Sequence, residues 1–162
     1  MLTRKSKYGV KAMLALAARQ GAAPLMVGDI ASAERIPKKF LDQILLELKR
    51  KGLVQSRRGK RGGYLLARSP ADISLGEIIR VLEGPLALLP CVSETAYRPC
   101  DECGDETTCG LRLALKRVRD ATASILDGTT LADVNHQVET VTRRRDASAR
   151  PREAHVAAEE IP

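Results

Sequence analysis

The chain has 162 residues, 44% of them hydrophobic, with 27 Lys and Arg against 20 Asp and Glu for a net charge of +7. That apolar share is enough for a core in one domain or two small ones, and it excludes a wholly disordered chain. The charge is uneven: residues 1–68 hold 16 basic and four acidic side chains, a net of +12, whereas residues 69–162 carry a net of −5. Clustered Lys and Arg gain free energy by displacing counterions from a polyanion, so the first half is expected to meet phosphates. A membrane surface is the competing polyanion. No run of 18 apolar residues exists, Lys11 interrupts the Val10–Ala18 stretch, and Met1–Lys7 does not lead into an export segment. A cytoplasmic protein without a membrane partner is expected.

In chain order, Val10, Met13, Leu14 and Ala17 mark the apolar face of a first helix within Thr3–Arg19, which Gly21-Ala22-Ala23-Pro24 breaks. Val27, Ile30 and Ala31 give a short second helix ending near Arg35. Ile36-Pro37 opens a third, with Pro37 expected in its first turn, where a missing N–H costs nothing. Phe40, Leu41, Ile44, Leu45 and Leu48 form its apolar face, opposite Lys38, Lys39, Asp42, Gln43 and Lys49. Lys49-Arg50-Lys51 followed by Gly52 reads as its end. Leu53–Ser56 and Gly63–Ala67 suit two strands joined by the basic, glycine-rich segment Arg57–Gly62. Ser74-x-x-Glu77 is a capping box opening a fourth helix with Leu75, Ile78, Ile79 and Leu82 on one face, stopped by Gly84-Pro85. A loop with all four cysteines follows. Leu111, Leu115, Val118, Ala121 and Ile125 then mark a long helix ending at Asp127-Gly128, and Thr130–Val141 suits one more. The resulting division is residues 1–84, a loop over 85–110, a helical region over 111–142 and a disordered tail over 143–162.

Three helices and a basic hairpin make a winged helix-turn-helix, a mainly α fold with a small β wing. If Phe40, Leu41, Ile44, Leu45 and Leu48 anchor the third helix, Lys38, Lys39, Asp42 and Gln43 are left at its exposed N-terminal end. Lysine there suits phosphate, Gln can pair with adenine, and a carboxylate can accept from the cytosine amino group. At the wing, Arg57, Arg58, Lys60 and Arg61 put four cations within five residues, more than a merely soluble turn needs. One Phe, three Tyr and no Trp are too few aromatics for a base-stacking RNA platform. Double-stranded DNA is the expected partner.

Cys91, Cys100, Cys103 and Cys109 lie together and no other cysteine occurs. In a reducing compartment such a cluster reads as a metal or redox site rather than a disulfide framework. Thiolates suit iron–sulfur clusters and zinc alike. An iron–sulfur site, a zinc site, a redox-active thiol pair and an inert loop all fit the spacing. Asp101, Glu102, Asp105 and Glu106 surround the thiols and disfavour bare thiolate unless a metal compensates. No His, Cys and carboxylate constellation has catalytic spacing, so the chain is not expected to be an enzyme.

Ser6–Leu14, Ile36–Gln43 and above all Gly52–Gly59 followed by Gly62-Gly63-Tyr64-Leu65-Leu66 resemble the Rrf2 family of bacterial regulators. The resemblance implies a homodimeric transcriptional regulator, often a repressor, whose long helix after the cysteines crosses to the partner subunit. It places Lys39, Asp42, Gln43 and Arg58 where members contact operator bases and backbone, and a two-fold dimer implies a pseudo-palindromic operator. Members that sense through iron–sulfur chemistry carry three cysteines here, the last two separated by five residues, as are Cys103 and Cys109. Their fourth ligand, a histidine after the last cysteine or an aspartate near the N-terminus, is replaced by Arg112 and Lys7 in this chain. Cys100 is then the natural fourth ligand of an iron–sulfur cluster, with zinc as the alternative metal.

Overall fold

The computed structural model describes residues 2–59 and 62–149. Its elements are α1 (Arg4–Ala17), α2 (Val27–Glu34), α3 (Lys38–Arg50), β1 (Val54–Arg57), β2 (Gly63–Leu66), α4 (Leu75–Glu83), α5 (Gly110–Gly128) and α6 (Leu131–Ala149). Short 3-10 turns at Pro70–Asp72 and Pro90–Val92 complete the described chain. β1 and β2 pair antiparallel with Val54 opposite Leu66 and Arg57 opposite Gly63. A mainly α fold with a hairpin wing results.

The helix ends follow local chemistry. The Thr3 hydroxyl caps α1 by accepting from the Ser6 N–H at 3.4 Å. Arg35 adopts the left-handed conformation (φ 55°) that ends α2, and the turn Arg35–Pro37 carries the chain into α3. Pro37 stands one residue before the helix rather than in its first turn, and its carbonyl accepts from Phe40 and Leu41, both at 3.0 Å. Gly52, just beyond α3, is left-handed as expected (φ 73°). The Ser74 hydroxyl accepts from the Glu77 N–H at 3.1 Å, but the carboxylate of Glu77 bonds Arg68 at 2.6 Å, so only half of the capping box is used.

The core gathers Met13 and Leu16 of α1, Ile30 of α2, Leu41, Ile44, Leu45 and Leu48 of α3, Leu53, Val54 and Leu66 of the wing, Ile78 and Leu82 of α4, and Leu131 of α6. The buried face of α1 is Ser6, Gly9, Ala12, Met13, Leu16 and Ala17, whereas Val10 and Leu14 are only half-buried. Counting large apolar side chains misplaces that face because the closest approach uses small ones. A Cβ on Gly9 would overlap the Leu82 side chain, so Gly9 lets α1 lie directly on α4.

After α5 the chain doubles back. The Leu75 N–H donates to Thr129 O (2.9 Å) and the Leu131 N–H to Ile73 O (3.0 Å), returning α6 to pack on α1. α6 continues to Ala149, past Thr142, where loss of apolar periodicity led us to expect a tail. Residues 143–148 are exposed, so this stretch needs no apolar face, and its Arg and Ala residues favour helix by propensity. The remainder of the expected tail lies outside the described residues.

Candidate nucleic-acid interface and thiol loop

Burial of one face of α3 dictates what the other presents. Leu41, Ile44, Leu45 and Leu48 are fully buried, and half-buried Phe40 meets Tyr8 edge-on at 5.9 Å between ring centroids. Lys38, Lys39, Asp42 and Gln43 are therefore exposed together. Other cations of this half are tied inward: Lys5 pairs with Glu47 at 2.7 Å, Lys11 with Glu34 at 3.0 Å, and Lys49 donates to the Ser56 hydroxyl at 2.6 Å. These pairs occupy two of the half's four carboxylates, while the α3 N-terminal residues have no ion-pair partner among the described residues.

Arg57 ends β1 and, with Arg58, is exposed at the wing; Lys60 and Arg61 lie outside the described residues. The tip closes through Gly62 N–H donating to Gly59 O at 2.9 Å, with Gly59 at φ 110°. A feature missed by sequence reading steadies the wing root. Leu25 and Tyr64 exchange both backbone hydrogen bonds, at 2.9 and 2.8 Å, which adds Leu25 to the free edge of β2. Gly63 (φ 153°) permits this, because a Cβ there would overlap the Leu25 carbonyl. The available signal was Leu25 itself, an apolar residue between Pro24 and α2 with no helical face to serve.

The thiols fall into two places. Cys91 is 5% exposed in the turn Pro90–Val92, and it shares a groove of about 260 Å³ with Cys100, Pro99, Asp101 and Glu102. Cys103 and Cys109, both half-buried, flank a turn organised by Asp105. Its carboxylate accepts from Thr107 N–H (2.9 Å), Thr107 Oγ1 (2.7 Å) and Thr108 Oγ1 (2.9 Å), and these bonds hold its pKa below the usual aspartate range. The interaction with Cys109 pushes the Cys103 thiol up to about 11, and its sulfur also approaches Asp105 O at 3.7 Å. Cys109 stands at the N-cap of α5. It makes no formed side-chain cap bond, yet the N–H of Arg112 and then the proton of Cys103 pull its thiol below the ordinary cysteine value. All four cysteines are free thiols.

Side chains for which the sequence suggested no such role join this loop to α5. Arg112 Nε donates to Cys91 O at 3.2 Å and lies 3.5 Å from the Glu106 carboxylate, which also accepts from Tyr97 Oη at 2.7 Å. Arg119, 8% exposed, pairs with Glu94 and with Asp120, the latter at 3.0 Å. The Arg80 guanidinium of α4 holds Asp127 with a second contact of 2.8 Å, which lowers the Asp127 pKa. Arg119 is the only buried residue of α5, and Leu111, Leu113, Val118 and Ile125 are 48–68% exposed.

The soft donor set suits an iron–sulfur cluster or zinc, but among the described residues no three potential ligands are gathered for a metal. No described helix is long and apolar enough to cross a membrane.

The Rrf2 family, described as iron-dependent transcriptional regulators, matches residues 2–137. The HTH-type transcriptional regulator CymR of Bacillus subtilis is 36% identical over 133 residues, 82% of this chain and 88% of that protein. IscR of Escherichia coli is 32% identical over 154 residues, covering 93% and 91%. The solved structure of CymR, the global cysteine regulator of B. subtilis, superposes with a TM-score of 0.70 at 33% identity, covering 85% of this chain and 97% of that one. IscR of T. potens superposes with a TM-score of 0.67 at 30% identity, covering 93% of both. The wing, the exposed α3 N-terminus and these likenesses lead to one assignment: the chain belongs to the Rrf2 family of winged helix-turn-helix, DNA-binding transcriptional regulators, and is not an enzyme.

Proposed function

We propose that this regulator is a cytoplasmic homodimer, acting as a repressor on a pseudo-palindromic operator, whose DNA affinity responds to the state of the Cys91–Cys109 loop. The observation that carries the reading is the joint exposure of Lys38, Lys39, Asp42 and Gln43 on α3, together with the exposed Arg57 and Arg58 of the wing. Lys38 and Lys39 neutralise phosphates, Asp42 and Gln43 read base edges, and Arg57, Arg58, Lys60 and Arg61 engage the backbone or minor groove. Residues 1–84 read DNA, residues 85–110 sense, and α5 supplies the dimer contact through its uncovered apolar stripe.

Cys91, Cys100, Cys103 and Cys109 would hold an iron–sulfur cluster, or zinc in the alternative. A bound cluster would supply redox chemistry and sensitivity to oxidants. Arg112 and Arg119 tie the loop to α5, so a change of loop geometry shifts the dimer between conformations of different operator affinity.

The test measures operator binding against salt together with the absorbance of anaerobically purified protein. The double substitution Arg57→Ala/Arg58→Ala should reduce the log–log salt slope by about 2 with folding unchanged. Visible charge-transfer bands support the cluster, and a colourless sample with stoichiometric zinc selects the alternative. Identical operator binding by Cys103→Ala and the parent, both with and without iron, overturns the sensing role.

A further inference from the structure

A cleft of about 440 Å³ opens between the C-terminal end of α1, the loop over residues 21–25 and the wing, a volume in the usual range of small-molecule sites. We propose that it binds a small organic anion, a carboxylate or phosphate ester on an apolar body, and that this ligand competes with operator DNA for Arg57. The competition rests on the proposed role of Arg57 at the operator, whereas the binding site does not.

The lining sets the charge of the ligand. Arg19, Arg57 and Arg68 all border the cleft, and no Asp or Glu among the described residues does. Arg68 pairs with Glu77 at 2.6 Å, which holds it in place and offsets its charge. Arg19 and Arg57 are exposed and have no ion-pair partner among the described residues. The C-terminal end of α1 opposes an anion with about half a charge, less than either free guanidinium brings. The turn that follows α1 also engages the nearby carbonyls: the Arg19 N–H donates to Leu16 O at 3.2 Å, Gln20 N–H to Ala17 O at 3.2 Å and Ala22 N–H to Arg19 O at 3.0 Å. The balance favours an oxyanion, which guanidinium groups bind through paired N–H donors.

The rest of the lining sets the body of the ligand. Leu16 and Leu66, both nearly sealed from water, and half-buried Leu25 and Tyr64 supply apolar surface. A DNA backbone phosphate presents charge and sugar rather than an apolar group, so this surface suits a free ligand. The walls are already fixed, because the backbone bonds between Leu25 and Tyr64 tie the loop to β2. Arg57 links the cleft to the operator: it ends β1 opposite Gly63 and also borders the cleft. One guanidinium cannot serve a bound anion and a DNA phosphate together, so each ligand weakens the other by the same factor.

Calorimetry tests the site by titrating full-length protein with phenyl phosphate, and with inorganic phosphate and benzyl alcohol as probes of the head and the body alone. Phenyl phosphate should bind once per chain, about tenfold more tightly than either control, and lose about tenfold in Arg19→Ala with thermal unfolding unchanged. At constant ionic strength, saturating phenyl phosphate should raise the operator dissociation constant about fivefold or more. Absence of binding, equal binding of inorganic phosphate, or indifference to Arg19→Ala overturns the site. If Arg19→Ala without any probe lowers the log–log salt slope of operator binding by about 1, the cleft seats a DNA phosphate and the free ligand is overturned. Phenyl phosphate bound in the cleft with operator affinity unchanged overturns the competition. A chain that binds no operator leaves the calorimetric result standing, so failure of the site and failure of the DNA-binding reading are distinguishable.

Discussion

The winged-helix body and the loop with α5 use charge and apolar surface in opposite ways. In the body Leu41, Ile44, Leu45 and Leu48 of α3 and Ile78 and Leu82 of α4 are sealed inside, and the cations at the N-terminal end of α3 and on the wing face outward without partners among the described residues. Around the loop the charges are spent on one another, Arg112 with Glu106, Arg119 with Glu94 and Arg80 with Asp127, while Leu111, Leu113, Val118 and Ile125 of α5 stand in water. The body is a finished fold with one unsatisfied requirement, a polyanion. The second region leaves apolar side chains of α5 uncovered.

This contrast can be broken in three ways. Leu45→Ala, at a fully buried site, should cost the body about 2–5 kcal/mol, read as a lower urea midpoint and loss of operator binding. A cost under 1 kcal/mol would mean that the body is not the sealed unit described. Val118→Asp with Ile125→Asp should leave monomer unfolding unchanged, because both side chains are already exposed, yet weaken dimerisation by roughly 1–2 kcal/mol per site. Equilibrium sedimentation reads this as a more than tenfold rise in the dimer dissociation constant, and an unchanged constant removes α5 from the interface. The smallest effect concerns the seam between α4 and α5. The Arg80 hydrogen bond lowers the folded-state pKa of Asp127, so the pair stabilises above the ordinary aspartate value of 3.8, and this is lost as pH falls through the lowered pKa. Both side chains are substantially exposed, so Asp127→Asn should cost at most about 1 kcal/mol at neutral pH and flatten the acid limb of the melting curve.

Much of the body was legible residue by residue. The α3 stripe from Leu41 to Leu48, the glycine at position 52, the Ser74 cap and the glycine-rich wing are each written within a few residues, because periodicity, capping and turn chemistry are local. The face of α1 was partly misread, since Gly9 and Ser6 are buried through smallness rather than hydrophobicity. The Leu25–Tyr64 pairing joins residues 39 positions apart and leaves no periodic trace. The spacing of Cys103 and Cys109 was visible, but their separation from the Cys91–Cys100 groove depends on the Asp105 turn and on Arg112 reaching back 21 residues.

The sequence by itself determined the class of fold, the +12 half and the four side chains that α3 turns outward, since an amphipathic helix names its polar face once its apolar face is known. Tertiary structure alone decided which apolar stripes are core. α3 and α5 have the same kind of pattern, yet one is sealed and the other is bare. Periodicity states that a face must be covered, and only the packing of distant segments states what covers it.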